Sequence, residues 1–184
     1  SANFEGEEMF SPGERFALAA PLNFVASLMV LSYGLYRGCG SSYILSYSTV
    51  KNPVALIKFL LLKRITLFFL TPTYARKFAG KTGPFLKKMA IGSEPANNFH
   101  LKGVINYNMY AQSESGVVTC MFVIDKEYDV CPVGKPQFDM KYRVVDDDGN
   151  DVPVGEIGEF IFENPYVRGY INLPEETQKA FKDG

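Results

Sequence analysis

The feature that most constrains this chain is an alternation of short, almost wholly apolar runs with longer stretches of helical spacing. FALAA (16–20), YILSY (43–47), TLFFL (66–70), MAIG (89–92) and GVINY (103–107) read as strands, with helices over 24–37, 52–64 and 72–80 between them. In the second helix Val54, Leu56, Ile57, Leu60 and Leu61 form the i, i+3, i+4 stripe, with Asn52 as N-cap and Pro53 at the first helical position. Strands this apolar leave no face for solvent. The pattern therefore predicts an α/β fold, a mostly parallel sheet flanked by helices on both sides. Ligands of such sheets bind beyond the carboxyl ends of the strands, so the loops after 89–92 and 103–107 are the first places to look.

After Val133 the pattern changes. KYRVVDDDGNDVPVGEIGEFIFE predicts two antiparallel strands with turns at Asp148-Gly149-Asn150 and Pro153-Val154-Gly155, and Pro174 opens a further helix. Charge shifts near the same place: residues 1–124 hold 12 Lys and Arg against 6 Asp and Glu, whereas 125–184 hold 7 against 14. We therefore expect an α/β subdomain over 1–132 and the beginning of a smaller antiparallel β-rich subdomain over 133–184. The final Lys182-Asp183-Gly184 falls inside what reads as an element connection, which suggests a piece of a longer protein.

Composition removes several classes. With 47% apolar and 21% charged residues, disordered, collagen-like and coiled-coil chains are excluded. A net charge of −1 lacks the footprint of a nucleic-acid binder. Phe16 to Tyr36 is uncharged, but Pro21, Asn23, Ser27, Ser32 and Gly34 interrupt it, and Lys58, Lys63 and Arg64 cut the apolar stretch 54–70, so no membrane span is expected. Cys39, Cys120 and Cys131 are too scattered for a disulfide framework and read as small hydrophobes of a reducing, cytoplasmic compartment. The single histidine, His100, removes most zinc sites and His-dependent triads. Gly80-Lys81-Thr82 has Ala75 where a phosphate loop needs glycine, Gly38-Cys39-Gly40 lacks a third glycine, and Ser41-Ser42 has no basic partner.

Three segments stand in a telling order: AIGSEPANN around Gly92-Ser93-Glu94-Pro95, NMYAQSESG over 108–116, and VGEIGEFIFENPYVRGYINLPEETQKAF over 154–181, with Val133-Gly134-Lys135-Pro136 between the last two. In these the chain resembles the adenylate-forming superfamily, which includes acyl- and aryl-CoA ligases and the adenylation domains of nonribosomal peptide synthetases. The resemblance implies activation of a carboxylic acid by ATP and Mg²⁺ as an acyl-adenylate, followed by transfer to a thiol. By the same resemblance Glu114 is the Mg²⁺ ligand and Ser113 offers its hydroxyl to the α-phosphate, these two being the catalytic pair. Tyr110 lies against adenine, Asn108 bonds its amino group, and Gly92, Ser93, Glu94 and Pro95 form the adenine-side turn. Ala111 and Ser93 stand where the family usually has glycine, and the stretch 92–108 is shorter than usual.

On the acid side the family's pocket positions read Val25, Ala26, Met29, Phe69, Met89, Ile91, Met109 and Val117, all apolar. Val25 stands where amino-acid-activating members place an aspartate. A buried ammonium facing valine would be unpaired, so the expected substrate is a hydrophobic acyl or aryl acid. Asn23 replaces the histidine of a Pro-x-x-His entry seen in CoA ligases. The acceptor is therefore open between CoA, the first expectation, and the phosphopantetheine arm of a carrier protein; a non-catalytic binding or structural module is a third reading. The resemblance also implies that the family's Gly-rich phosphate loop lies before Ser1, and its ribose-binding aspartate and catalytic lysine after Gly184. The chain alone is accordingly expected to be inactive.

Overall fold

A computed structural model describes residues 9–36, 38–78, 81–137, 140–164 and 167–181. Seven strands form one sheet: β1 (Arg15–Leu18), β2 (Ser41–Ile44), β3 (Leu67–Leu70), β4 (Lys88–Gly92), β5 (Ile105–Ala111), β6 (Val118–Ile124) and β7 (Lys135–Pro136). Their order is β2-β1-β3-β4-β5-β6-β7. The pairs from β2 through β5 are parallel, and β6 and β7 add on antiparallel. A second sheet consists of β8 (Tyr142–Val145) and β9 (Glu159–Phe162), paired antiparallel. The fold class expected from sequence is the one found, including the small antiparallel sheet. The strand change falls between Pro136, which pairs with Cys120, and Tyr142, where the second sheet begins.

The helices are α1 (Val25–Tyr36), α2 (Tyr47–Lys51), α3 (Pro53–Leu62), α4 (Pro72–Phe78) and α5 (Pro174–Ala180). Asn52 caps α3 as its sequence suggests, its Oδ1 accepting the Val54 and Ala55 amides at 3.1 Å each. The run YILSY does not stay a strand. β2 ends at Ile44, and Ser46, whose hydroxyl accepts the Thr49 amide at 3.3 Å, starts α2 on Tyr47. The ends of the expected helices at Arg37, Ala79 and Gly80 lie outside the described residues, as does Gly80 of the Gly-Lys-Thr turn.

Alternation along the strands sorts the core into two clusters, one on each face. Ala17, Phe68, Leu70, Met89, Ile91 and Ile124 pack with Leu56 and Leu60 of α3, Ala75 of α4 and the loop residues Phe99 and Leu101. Phe16, Leu18, Leu67, Phe69, Ala90, Tyr107, Met109 and Met121 pack with Met9, Phe10 and one side of α1, from Val25 and Ala26 to Leu31 and Tyr33. At the amino ends of the strands Lys88 pairs with Glu14 at 2.8 Å, both side chains largely buried, and donates to the Met9 carbonyl and the Ser11 hydroxyl. That ion pair anchors the leading segment on the edge away from the expected site. No described helix is long and apolar enough to cross a membrane.

Candidate active site

The carboxyl ends of β1, β3, β4 and β5 lie side by side, because these strands run parallel. Strand order reverses at β1, so the crevice between β1 and β3 is the topological switch point. Val25 and Ala26 open α1 beyond β1 and pack on the same cluster as Phe69 of β3 and Met109 of β5. These four share one face at that edge, and Val117 is half-buried just before β6. Met89 and Ile91 do not join them. β4 turns both toward the opposite face, against α3 and α4, and only Ala90 between them faces the Phe69 side. The cause is strand periodicity: residues two apart share a face, and the register pairs Gly92, not Ile91, with Met109. Met29 lies in α1, its side chain outside the described residues.

The adenine-side turn leaves the carboxyl end of β4. A Cβ on Gly92 would stand 2.6 Å from the Met109 carbonyl oxygen, so only glycine lets β4 and β5 stay this close. Ser93 has φ +70°, a left-handed conformation that suits glycine and explains the resemblance's glycine at this place. Glu94 folds back: its carboxylate accepts the Thr73 amide at 3.0 Å and the Thr73 hydroxyl at 2.5 Å, at the start of α4. The Thr73 hydroxyl, helped by the Thr73 amide and the Arg76 charge, holds the Glu94 carboxyl below its ordinary value. From 93 to 104 the chain runs in turns, without the helix whose absence the short spacing suggests. Asn106, fully buried, replaces it as organiser. Its Oδ1 accepts the Leu101 amide, and its Nδ2 lies 3.0 Å from the Leu101 carbonyl and 2.7 Å from that of Val104.

The second segment, 108–116, begins inside a strand rather than after one. β5 runs to Ala111 because Asn106 and Asn108 bond backbone of neighbouring loops instead of ending the strand themselves. The Asn108 Nδ2 donates to the Pro132 carbonyl at 2.8 Å, which pins the amide and leaves its oxygen as the acceptor an exocyclic amine would need. Tyr110, on the Asn108 face, is partly exposed. Ala111 is not among the residues of positive φ, so the missing family glycine costs no backbone strain. Ser113, Glu114 and Ser115 form a single 3₁₀ turn closed by Gly116 at φ +64°. The buried Ser115 hydroxyl lies 2.7 Å from the Gln112 carbonyl and 2.6 Å from that of Val117, which fixes the turn from inside. Ser113 is exposed. The Glu114 carboxylate accepts the Tyr170 hydroxyl, and its backbone carbonyl accepts the Asn164 amide group. This bond raises the Tyr170 phenol.

No group of three or more His, Cys, Asp and Glu able to hold a metal occurs among the described residues. One carboxylate at 114 nevertheless fits Mg²⁺, which is commonly held by one or two carboxylates with the remaining ligands from phosphate oxygens and water. The buried Cys120 thiol is pushed up to about 11 by burial, and Cys39 and Cys131 are also raised by burial, so none of the three is an activated nucleophile.

Comparison with known proteins shows the family. The family model for AMP-binding enzymes matches residues 2–171. The chain belongs to the AMP-binding enzyme family. Bacitracin synthase 1 of Bacillus licheniformis is 32% identical over 64% of the chain and 2% of that relative. A D-alanine–D-alanyl carrier protein ligase of Bacillus velezensis is 27% identical over 92% of the chain and 37% of its own length. The solved structure of CmiS6 superposes with a TM-score of 0.81 at 21% identity, covering 95% of this chain and 46% of its own. Holo-PA1221, a nonribosomal peptide synthetase protein with adenylation and carrier domains, gives 0.77 at 22%, covering 92% and 32%. The chain thus spans less than half the length of each of these proteins. Sequence reasoning singled out Gly92, Ser93, Asn108, Tyr110, Ser113 and Glu114; it did not point to Thr73, Arg76, Asn106, Asn164 and Tyr170, which hold the same loops. The spacing of Tyr170 gave no sign of the partner 56 residues earlier.

Proposed function

We propose that the chain is the substrate-side core of an AMP-forming ligase that activates a hydrophobic acyl or aryl acid and passes it to a thiol. The observation that carries this reading is the placement of the Gly92 turn and the Asn108–Glu114 segment at the carboxyl ends of adjacent parallel strands in a family member. A carboxylate oxygen of the acid attacks the α-phosphorus of ATP; the new P–O bond forms as the bond to pyrophosphate breaks. Asn108 and Tyr110 hold the base, Glu94 and Pro95 shape the turn beside it, and Ser113 donates its hydroxyl to the α-phosphate. Glu114 would hold Mg²⁺, which when bound would neutralise the charge accumulating on the phosphoryl oxygens. Val25, Ala26, Phe69 and Met109 offer the acid an apolar wall with no partner for an α-ammonium.

The acceptor is a carrier-protein thiol. The support is the printed names of relatives, a carrier protein ligase and peptide synthetases; free CoA, the first expectation from sequence, is the competing outcome. The test is carboxylate-dependent ATP–pyrophosphate exchange by the full-length protein. Hydrophobic and aryl acids should support exchange and standard α-amino acids should not. Glu114→Ala should cut exchange about 100-fold or more while the circular dichroism spectrum is kept; unchanged exchange removes Glu114 from the metal site. Labelled acid should then appear on a phosphopantetheinylated carrier protein, and label on CoA alone refutes the acceptor. The 184-residue chain alone should show no exchange.

A further inference from the structure

The Gly92 turn is held from outside the residues assigned to the nucleotide. Arg76, in the last turn of α4, lies with one guanidinium nitrogen 2.6 Å from the Asn97 carbonyl and 3.3 Å from the Pro95 carbonyl. Three residues earlier in α4, Thr73 holds Glu94 through its amide and its hydroxyl. One helix therefore grips the same short loop twice, by a cation on two carbonyls and by two donors on a carboxylate. The loop in turn grips the next one. The Asn97 Oδ1 accepts the Cys131 amide at 2.9 Å, and the Asn98 amide donates to the Tyr128 carbonyl at 2.7 Å. That second loop supplies the Pro132 carbonyl that pins Asn108.

This amount of fastening has a physical motive. Ser93 and Asn98, at either side of the grip, are both left-handed at φ +70° and +52°. Asparagine enters that region readily, but serine there costs about 1–2 kcal/mol, and such strain persists only where the surroundings over-determine it, commonly at ligand sites. The bonds are exposed, so each adds little to global stability. Their combined effect is on where the turn stands.

We infer that Arg76 is a positioning residue: it fixes the Pro95–Asn97 backbone, and through it the adenine-side turn and the loop that orients Asn108, so that it sets nucleotide affinity without contacting the reacting atoms. This rests on the nucleotide site proposed above. Arginine suits the role because its guanidinium is always charged and planar, and the two N–H groups of one terminal nitrogen point in fixed directions toward the two carbonyls.

The probe is AMP, titrated calorimetrically into the full-length protein. Wild-type protein binds AMP; absence of binding sinks the site itself and the inference with it. Arg76→Met should weaken AMP about tenfold and raise the KM for ATP while leaving kcat within about twofold. Arg76→Lys should recover part of the affinity. Lys77→Met removes the same charge one residue along, from a side chain that sits over the Tyr74 ring, and should bind AMP as wild type does. Thr73→Val, which removes only the hydroxyl that Glu94 accepts, should weaken AMP less than Arg76→Met does, and it decides the matter if Arg76→Met fails to fold. Wild-type affinity in Arg76→Met, or in Thr73→Val where Arg76→Met does not fold, overturns the inference. So does an equal loss in Lys77→Met, which would make the effect one of net charge, or a fall in kcat with KM unmoved.

Discussion

The two sheets are held together by different physics. In the seven-stranded sheet β3 is buried at every position, Leu67 to Leu70 being no more than 2% exposed, and helices or loops cover both faces. In the two-stranded sheet Val145 is the one buried residue of β8 and β9, and Val154 and Ile157 between the strands and Ile171 beyond them are almost fully exposed. There the order comes from turns. The Asp146 carboxylate accepts the Asp148 and Asn150 amides at 3.0 and 2.8 Å, and Tyr142, Phe160 and Phe162 line up ring against ring. The candidate chemistry lies where the two meet: Glu114 belongs to the first region, and the hydroxyl and amide that hold it come from Tyr170 and Asn164, beyond β9. Burial makes a rigid platform, while turn-built structure bearing on it stays cheap to rearrange.

The largest expected difference is in core truncation. Phe68→Ala removes a fully buried ring from the α3 side of the sheet and should cost about 3–5 kcal/mol of unfolding free energy. Phe160→Ala removes a half-buried ring that touches mainly Tyr142 and Phe162, and should cost about 0.5–1.5 kcal/mol. Urea titration of both variants measures the contrast, and equal costs would break it.

Glycine gives a sharper version. Gly134, just before β7 in the seven-stranded sheet, has φ +86°, and a Cβ there would come 1.8 Å from the Met121 carbonyl oxygen. Backbone would have to move, so Gly134→Ala should cost about 2–3 kcal/mol through strain and lost packing. Gly149, in the β8 turn, has a similar φ of +83° with nothing within 4 Å. Gly149→Ala should cost only the left-handed backbone term, about 1 kcal/mol. Thermal melts of the two variants would separate close approach from backbone preference.

The same contrast explains what could be read from sequence. Apolar strands covered on both faces announce themselves, and β1, β3 and β4 lie within two residues of their expected ends. Turn chemistry is equally legible, so Asp148-Gly149-Asn150 and the Asn52-Pro53 helix start were found. Side-chain bonds between distant segments leave no periodic trace. Asn106 and Asn108 look like strand terminators, since asparagine ordinarily competes for its own backbone; here their amides bond the 101–104 and 132 carbonyls, and β5 runs on. β6 went unpredicted for a related reason. Its Val118–Ile124 run follows a glycine-bounded turn that reads as an irregular loop until the buried Ser115 hydroxyl is seen closing it. Met89 and Ile91 show the reverse failure. Their apolar character is right for a pocket and equally right for a core, and only the register tells which face they take.

Ser93 gives the smallest effect and the most direct reading of how the platform is tuned. It is exposed, makes no side-chain hydrogen bond among the described residues and sits at φ +70°. Replacing it with glycine removes a left-handed cost of about 1–2 kcal/mol, while the freer unfolded chain takes back about 0.4–1 kcal/mol. Ser93→Gly should therefore stabilise the fold by about 0.5–1 kcal/mol, seen as a small rise in denaturation midpoint with unchanged m-value. A loss of stability would mean that the serine hydroxyl holds the turn, and the grip attributed to Arg76 and Thr73 would then be incomplete. A gain in stability together with weaker AMP binding would show instead that the left-handed serine narrows the turn's range of motion for the nucleotide. Stability and affinity would then be set by different atoms of one loop.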